Sequence, residues 1–368
     1  MLKVYIITCH DVYNAGASLQ AYALQHFLQS RGADAYIIDY KPEYLSFHYR
    51  LWQVRNPRFN HPLLREAYVL AKLPGRIWAL FSGKKRKYDK FRTCYLRLTK
   101  RYETFQDLCE DAPTGDCYIA GSDQIWNPFF PNGKDPAFFL CFAPQSTRKL
   151  SYAASFGISE ISDVDIERMR PWVKKLDAVS VREKTGLRIL DKMAIPAVKV
   201  CDPVFLLDQE EWENMLHGQE ISAGHILLYD FDKNPDIEKI ANHFSHKTRR
   251  QVFSILPTAT MKLSPMNPGP LEFLELIKSA DMVLTNSYHA VAFSLLFQKE
   301  FYAFARKEPL NNRIIGLLKD ADLEDRFFDN PQSFHEAQPI QWEYVKKRIE
   351  KQKETSVAFL DKECLNRK

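Results

Sequence analysis

Short apolar runs rich in β-branched residues alternate along most of this chain with stretches of helical periodicity, and the runs end in clusters of polar residues. That alternation is the pattern of β-α-β units, whose parallel strands need crossover helices. Residues 4–8 form the first run, followed by a polar loop over 9–16. From Ala17, the residues Leu19, Ala23, Leu24, Phe27 and Leu28 share one helical face, and Gly32 ends the pattern. Residues 36–39 read as a second strand, stopped by Pro42. Runs at 117–120, 149–154, 178–181 and 198–201 continue the series, with helical patterns at 162–176 and 184–193.

A second series follows. Strands are predicted at 225–231, 251–256, 282–285 and 301–303. Helices are predicted at 235–246, at 270–279, and from the turn 286–289 to about 297. The residues from about Pro339 onward read as a charged amphipathic helix. Two such series in 368 residues predict an α/β fold of two Rossmann-like domains facing a cleft. The expected domains are 1–207 and 208–335, joined within 203–224, with 336–368 a closing helix that packs back on the body.

Residues 41–110 break the alternation and read as a helical insertion in the first domain. Residues 83–101 hold nine Lys or Arg and a single acid, Asp89, with Tyr88, Phe91 and Tyr95 at roughly helical spacing. Such a stretch is either a solvated helix face or a cationic, aromatic-edged surface for a membrane or a pyrophosphate-linked lipid. The net charge of +5 is too mild to argue for nucleic acid, and no RNA-binding motif accompanies the basic stretch.

The seven Cys show no CxxC pair and no zinc-site spacing to His, so reduced thiols in a cytosol are expected. The opening apolar run is too short for a signal peptide, and no stretch approaches a membrane span. A cytoplasmic protein is expected, with peripheral contact at the inner membrane face through 84–101 as the one membrane role. GxGxxG, GxxxxGK[ST], HExxH and GxSxG are all absent, which leaves dinucleotide, P-loop, zincin and serine-hydrolase readings unsupported. Three Asp-x-Asp triplets occur, but with 46 acidic residues in the chain they arise by chance, and neither metal nor cofactor is expected.

Four polar clusters fall at predicted strand ends, where open α/β sheets bind their ligands. Asn14 and Gly16 open the first helix, either as an anion site or as a plain cap and tight turn. Ser122, Asp123, Gln124, Trp126 and Asn127 follow the 117–120 strand, either to hold a sugar's hydroxyls and ring face or as a turn with a buried Trp. Arg182-Glu183 follows another strand; the guanidinium can grip a carboxylate or phosphate, or merely pair with its neighbour. Ser287, Tyr288 and His289 open a helix facing the expected cleft, where an imidazole suits proton transfer or a structural hydrogen bond.

Taken in order, Asn14-Ala-Gly-Ala-Ser-Leu-Gln-Ala-Tyr-Ala-Leu24, Gly121-Ser-Asp-Gln-Ile-Trp-Asn127, Leu150-Ser-Tyr-Ala-Ala-Ser-Phe-Gly157, Ser180-Val-Arg-Glu-Lys184, Asp202-Pro-Val-Phe205 and Thr285-Asn-Ser-Tyr-His-Ala290 resemble the polysaccharide pyruvyltransferase family over roughly residues 1–325. The resemblance implies a GT-B-like fold and formation of a pyruvate ketal on a sugar from phosphoenolpyruvate, without a metal. It implies His289 and Arg182 at the donor, with Tyr288 beside them. Where the family carries Arg in an Arg-x-His turn this chain has Ser287, and Arg313 or a basic residue of the insertion is the candidate replacement. The polar clusters around Asn14, Gly16, Ser122, Gln124, Trp126 and Asn127 are then the expected acceptor side. Asp123 is the candidate base or sugar anchor, and a hexose 4,6-diol, lipid-linked or in a polysaccharide precursor, is the expected acceptor. Two rivals share the architecture: a glycosyltransferase using a nucleotide-sugar donor, and a sugar-binding relative without catalysis.

Overall fold

The computed structural model describes residues 1–45, 83–216, 221, 223–260, 266–308 and 311–366. In chain order the first half runs β1 (Lys3–Ile7), α1 (Ala15–Ser30), β2 (Asp34–Tyr40), α2 (Lys84–Tyr95), β3 (Leu98–Tyr102), α3 (Phe105–Glu110), β4 (Cys117–Ala120), β5 (Arg148–Ser151), α4 (Asp163–Val173), β6 (Ser180–Val181), α5 (Lys184–Lys192) and β7 (Val198–Lys199). The second half runs α6 (Gln209–Asn214), β8 (His225–Tyr229), α7 (Pro235–Thr248), β9 (Val252–Ser254), α8 (Pro270–Ser279), β10 (Ala280–Thr285), α9 (Tyr288–Leu296), β11 (Glu300–Phe304), α10 (Asn312–Ala321), β12 (Phe327–Phe328) and α11 (Trp342–Leu360).

The most apolar runs take the central positions, as strands covered on both faces require. The first sheet is parallel in the order β3-β2-β1-β4-β5, and the second is parallel in the order β12-β11-β10-β8-β9. Strands β6 and β7 pair with each other, and single bridges from Leu150 to Ala178 and from Ala154 to Val181 extend the first sheet toward them. Two parallel sheets flanked by helices, with a C-terminal helix, are the α/β architecture expected from the alternation and the GT-B-like fold that the resemblance implies.

The region expected as a helical insertion differs in one respect. Residues 46–82 lie outside the described residues, and α2 and α3 are helical as expected. Residues 98–102, however, form β3 and join the first sheet beside β2. As an edge strand, β3 keeps its charged side chains at the solvent side, which hides the strand in a basic stretch.

The halves are joined by a continuous apolar core, whose buried residues come from both sheets. Helix α1 packs on the 203–206 turn and on α8. Trp212 of α6 is fully buried between them, its ring 5.9 Å from Tyr22 of α1 and 5.1 Å from Phe293 of α9. Its indole N–H donates to the Val204 carbonyl at 3.0 Å. Helix α11 returns to the first sheet: Ser356 Oγ accepts from the Cys201 amide at 2.8 Å, and Arg148 of β5 pairs with Glu363 beyond the helix end. Among the described residues no helix is long and apolar enough to cross a membrane.

Because Trp212 touches both halves and leaves a large void when truncated, Trp212→Ala is expected to lower stability by about 3–5 kcal/mol. Chemical denaturation checks this; a loss below about 1 kcal/mol would show that the aromatic bridge does not couple the halves.

Candidate functional site

The carboxyl ends of both sheets converge. From the first half come the 8–16 loop after β1, the 121–127 loop after β4, Arg182-Glu183 after β6 and Asp202 after β7. From the second come the 286–289 turn after β10 and the start of α10. Contacts across the junction are direct. His289 Nε2 lies 3.7 Å from Asp202 Oδ2, and Arg313 Nη1 lies 4.0 Å from Asp123 Oδ1. A Cβ on Gly16 would stand inside the His289 ring. Glycine is therefore what lets the first turn of α1 approach the imidazole.

Arg182 is buried and pairs with both Asp202 and Glu183, the latter at 2.9 Å. Its guanidinium sits 4.4 Å from the centre of the Tyr288 ring, and that of Arg313 sits 5.8 Å from it. Burial first, then the neighbouring Arg182 charge, push the Arg313 guanidinium below its usual range; arginine nonetheless stays charged at neutral pH. Burial lowers the His289 pKa, against the opposing pull of Asp202 and Asp123, so the imidazole is neutral at pH 7. Among the described residues, four buried polar atoms here lack a hydrogen-bond partner: Arg182 Nη2, Glu183 Oε2, His289 Nε2 and Arg313 Nε. Buried polar atoms are ordinarily paired, so such a concentration at one place marks a candidate ligand site.

Ser287 and Asn286 hold this turn in place. Ser287 caps α9, its hydroxyl accepting from the Ala290 amide at 3.4 Å. Asn286 donates to Asp230 at 2.6 Å and accepts from the Phe231 amide, tying the ends of β8 and β10 together. Asp230 and Asp232 thereby act as loop anchors, and among the described residues no cluster suited to a metal ion occurs.

Beyond Asp123 lies an open cleft of about 440 Å³, lined by Tyr13, Asn14, Lys84, Gln124, Phe130 and Asn132 among others. Asp123 stands on its edge with φ 70°, a left-handed backbone that a non-glycine residue adopts at a cost. Asn14 caps α1, accepting from the Ala17 amide at 3.2 Å.

Three of the expected acceptor residues are elsewhere. Trp126 is fully buried, stacked on Phe139 at 5.4 Å, with its N–H on the Phe138 carbonyl at 3.0 Å. Its ring is core and is not available to a sugar. Ser122 is fully buried, and Asn127 is buried in the turn, donating to Gln124 at 2.8 Å and accepting from the Phe129 amide. Phe130, not singled out in the sequence, lines the cleft together with Tyr13. Its place in the Pro128-Phe-Phe-Pro131 stretch was its only signal in the sequence.

In the basic stretch 84–101 six of the nine cations have acidic partners among the described residues. Lys85 pairs with Asp89, Lys87 with Glu272, Arg92 with Asp39, Arg97 with Asp34, Lys100 with Asp111 and Arg101 with Asp39. Tyr88 and Phe91 face the core. Most of the charge is thus neutralised within the fold, and α2 is packed on α8.

The architecture and the site define a two-sheet α/β protein whose polar groups gather in the junction between the sheets, beyond the strands' carboxyl ends where open α/β sheets bind their ligands. The chain belongs to the polysaccharide pyruvyl transferase family, whose model matches residues 14–308. No curated protein matches it. Among solved structures it is similar to the UDP-GlcNAc 2-epimerase of Methanocaldococcus jannaschii in complex with UDP-GlcNAc and UDP (TM-score 0.44, 11% identity, 100% of this chain and 93% of that one). It is also similar to the UDP-GlcNAc 2-epimerase of Neisseria meningitidis bound to UDP-GlcNAc (0.45, 11%, 95% and 99%). A third is a UDP-glucosyltransferase of Polygonum tinctorium capable of glucosylating indoxyl (0.42, 10%, 98% and 94%).

Since Gly16 makes room for His289, Gly16→Ala is expected to displace the ring and cost about 1–3 kcal/mol. Denaturation and the His289 ring resonances check this together; an unmoved resonance with full stability would refute the close approach.

Proposed function

We propose that the protein transfers the pyruvyl group of phosphoenolpyruvate to two hydroxyls of a sugar, forming a pyruvate ketal and releasing phosphate. The observation that carries this reading is the cluster of unpaired buried polar atoms on Arg182, Arg313, His289 and Glu183 around Tyr288, in a chain of this family.

Phosphoenolpyruvate carries a carboxylate and a phosphate, and two fixed guanidiniums suit two anions. Arg182 takes one and Arg313 the other; Arg313 thus supplies the cation absent at Ser287, whose hydroxyl is engaged as the α9 cap. The chemistry needs a proton on the donor's methylene carbon, which makes C2 electrophilic. One hydroxyl oxygen then adds to C2, the C2–O bond to phosphate breaks, and the second hydroxyl adds in its place. Of the two hydroxyl protons, one balances that delivered to the methylene and the other leaves on phosphate. His289 is the proposed acid and phosphate partner. Neutral in the free site, it gains basicity when an anion binds beside it. Asp123, between Arg313 and the cleft, is the proposed base or sugar anchor. A 4,6-diol of a hexose gives the two hydroxyls the spacing a six-membered ketal requires.

Phosphoenolpyruvate at 100 times its dissociation constant is expected to stabilise the native protein by about 2.7 kcal/mol in a thermal-shift measurement, and Arg182→Ala to abolish the effect. Stabilisation by a nucleotide sugar alone would overturn the assignment in favour of glycosyl transfer. His289→Ala is expected to reduce turnover by ~10²-fold or more, and near-normal turnover removes His289 from the chemistry.

The His289 pKa also sets a sign. A group that is neutral when free and protonated when bound takes up a proton on binding, so affinity falls as pH rises. Between pH 6 and 8, phosphoenolpyruvate is expected to bind the native protein with a steeper loss than it shows for His289→Gln. Calorimetric titration across pH reads the difference; parallel profiles would show that no proton enters at His289.

A further inference from the structure

Among the described residues, the cleft beside Asp123 is lined by a cation with no acid partner. Lys84, the first residue of α2, lines it together with Asn14, Gln124, Phe130 and Asn132. Six of the eight other cations of the basic stretch are held by acids, and the remaining two, Arg86 and Lys90, are exposed; Lys84 is partly buried, and no carboxylate among the described residues pairs with it. Its nearest recorded aromatic partner is Tyr88, whose ring centre is 5.7 Å from Nζ. Burial alone pushes its pKa down, with no acid to oppose it. The other charge on the wall, Asp123, already faces Arg313 at 4.0 Å. Removing an ammonium from water without a counter-ion is unfavourable, so the wall is electrostatically complete only with an anion in the cleft.

The same wall offers a ring. Phe130 is 39% exposed and Phe129 is 69% exposed, in a chain whose other aromatic rings are mostly packed away. An exposed aromatic beside amide side chains is the surface that a sugar's apolar face and hydroxyls match. We propose that this cleft is the acceptor subsite for an anionic sugar, with the ring of Phe130 against the sugar and the Lys84 ammonium on a phosphate or carboxylate that the acceptor carries. The assignment rests on the reading of the protein as a pyruvyltransferase. It adds that the acceptor is charged, and that its charge is read on the side of Asp123 away from the donor's guanidiniums.

The experiment is a calorimetric titration of the full chain with methyl hexosides and hexose 1-phosphates of the gluco, galacto and manno series, both of which keep the 4,6-diol. It uses the native protein and the variants Lys84→Met, Lys84→Arg, Phe130→Ala and Arg182→Ala. For the preferred hexose, the anionic form is expected to bind at least ~10-fold more tightly than the methyl hexoside, about 1.4 kcal/mol. Lys84→Met is expected to bring the two within about twofold, Lys84→Arg to restore part of the gap, and Phe130→Ala to weaken both forms alike. Equal affinities in the native protein overturn the proposal, as does a preference that survives Lys84→Met or the absence of binding by every sugar. A preference lost in Arg182→Ala instead overturns it as well, because the anion then sits among the donor cations. With the charge preference in hand, a nucleoside-diphosphate hexose against a short-chain isoprenyl-pyrophosphate hexose identifies which carrier supplies the anion.

The two readings fail separately. Phosphoenolpyruvate stabilisation that depends on Arg182, with no preference for anionic sugars, removes the subsite and leaves pyruvyl transfer standing. A Lys84-dependent preference with no response to phosphoenolpyruvate removes the transfer reading and leaves an anionic-sugar site.

Discussion

Asp202 is the group on which the junction depends. Its carboxylate is buried at the end of β7, where Oδ1 accepts from the Val204 amide at 3.1 Å and shapes the turn leading out of the first half. Oδ2 holds Arg182 and faces His289 across the junction. A buried carboxylate needs compensation, and removing one partner of such a pair leaves an unpaired charge that costs several kcal/mol. The connection between the halves, the donor-side guanidinium and the imidazole are therefore fixed by one residue. Glu183 adds a second acceptor for Arg182 and, through Ser155, links it to the strand-end loop after β5. The guanidinium is held from two directions, and one of its nitrogens is left over.

Held in that frame, the two sides of the site are separated by Asp123. Arg182, Tyr288, His289 and Arg313 lie on one side; the wall of Asn14, Lys84, Gln124 and Phe130 lies on the other. The left-handed backbone at Asp123 is the sort of strain that persists only where surrounding structure overdetermines it. Here a bridge from Asp123 to Ala154 fixes the loop to the extension of the first sheet. A carboxylate so held, between cations on one side and a sugar-sized space on the other, is suited to receive a proton from whatever reacts there.

Much of this frame was legible in the sequence because it is local. The 117–120 and 270–279 elements follow from apolar periodicity and from Gly and Pro boundaries. Arg182, Asp202 and His289 sit at the ends of readable strands. What was not legible depends on distant partners. Trp126 lies in a polar turn that reads equally well facing in or out, and only the Phe138 carbonyl and the Phe139 ring settle it. The 98–102 strand carries Lys100 and Arg101, and nothing local says that β2 will pair with it. Helix α10 escaped notice behind Asn311-Asn312, yet it delivers Arg313 to a residue 190 positions earlier in the chain. The basic run looked like a surface because its acids, Asp34, Asp39, Asp111 and Glu272, are scattered along the sequence and meet it only in the fold.

Charge counting joins the site's geometry to its proposed chemistry. Around Tyr288 stand two guanidiniums, Arg182 and Arg313, and three carboxylates, Asp202, Glu183 and Asp123. With His289 neutral, the carboxylates outnumber the cations, so the free site does not resemble a reservoir of positive potential. A multiply charged anion can settle there only by displacing carboxylate contacts with Arg182 and Arg313 or by bringing a proton with it. The unpaired Nε2 of His289, 3.7 Å from Asp202 Oδ2, is where that proton has a place. On the proposed reading this is an advantage, since ketal formation begins with a proton delivered to carbon. The proton that neutralises the site on donor binding is then the one the reaction needs first.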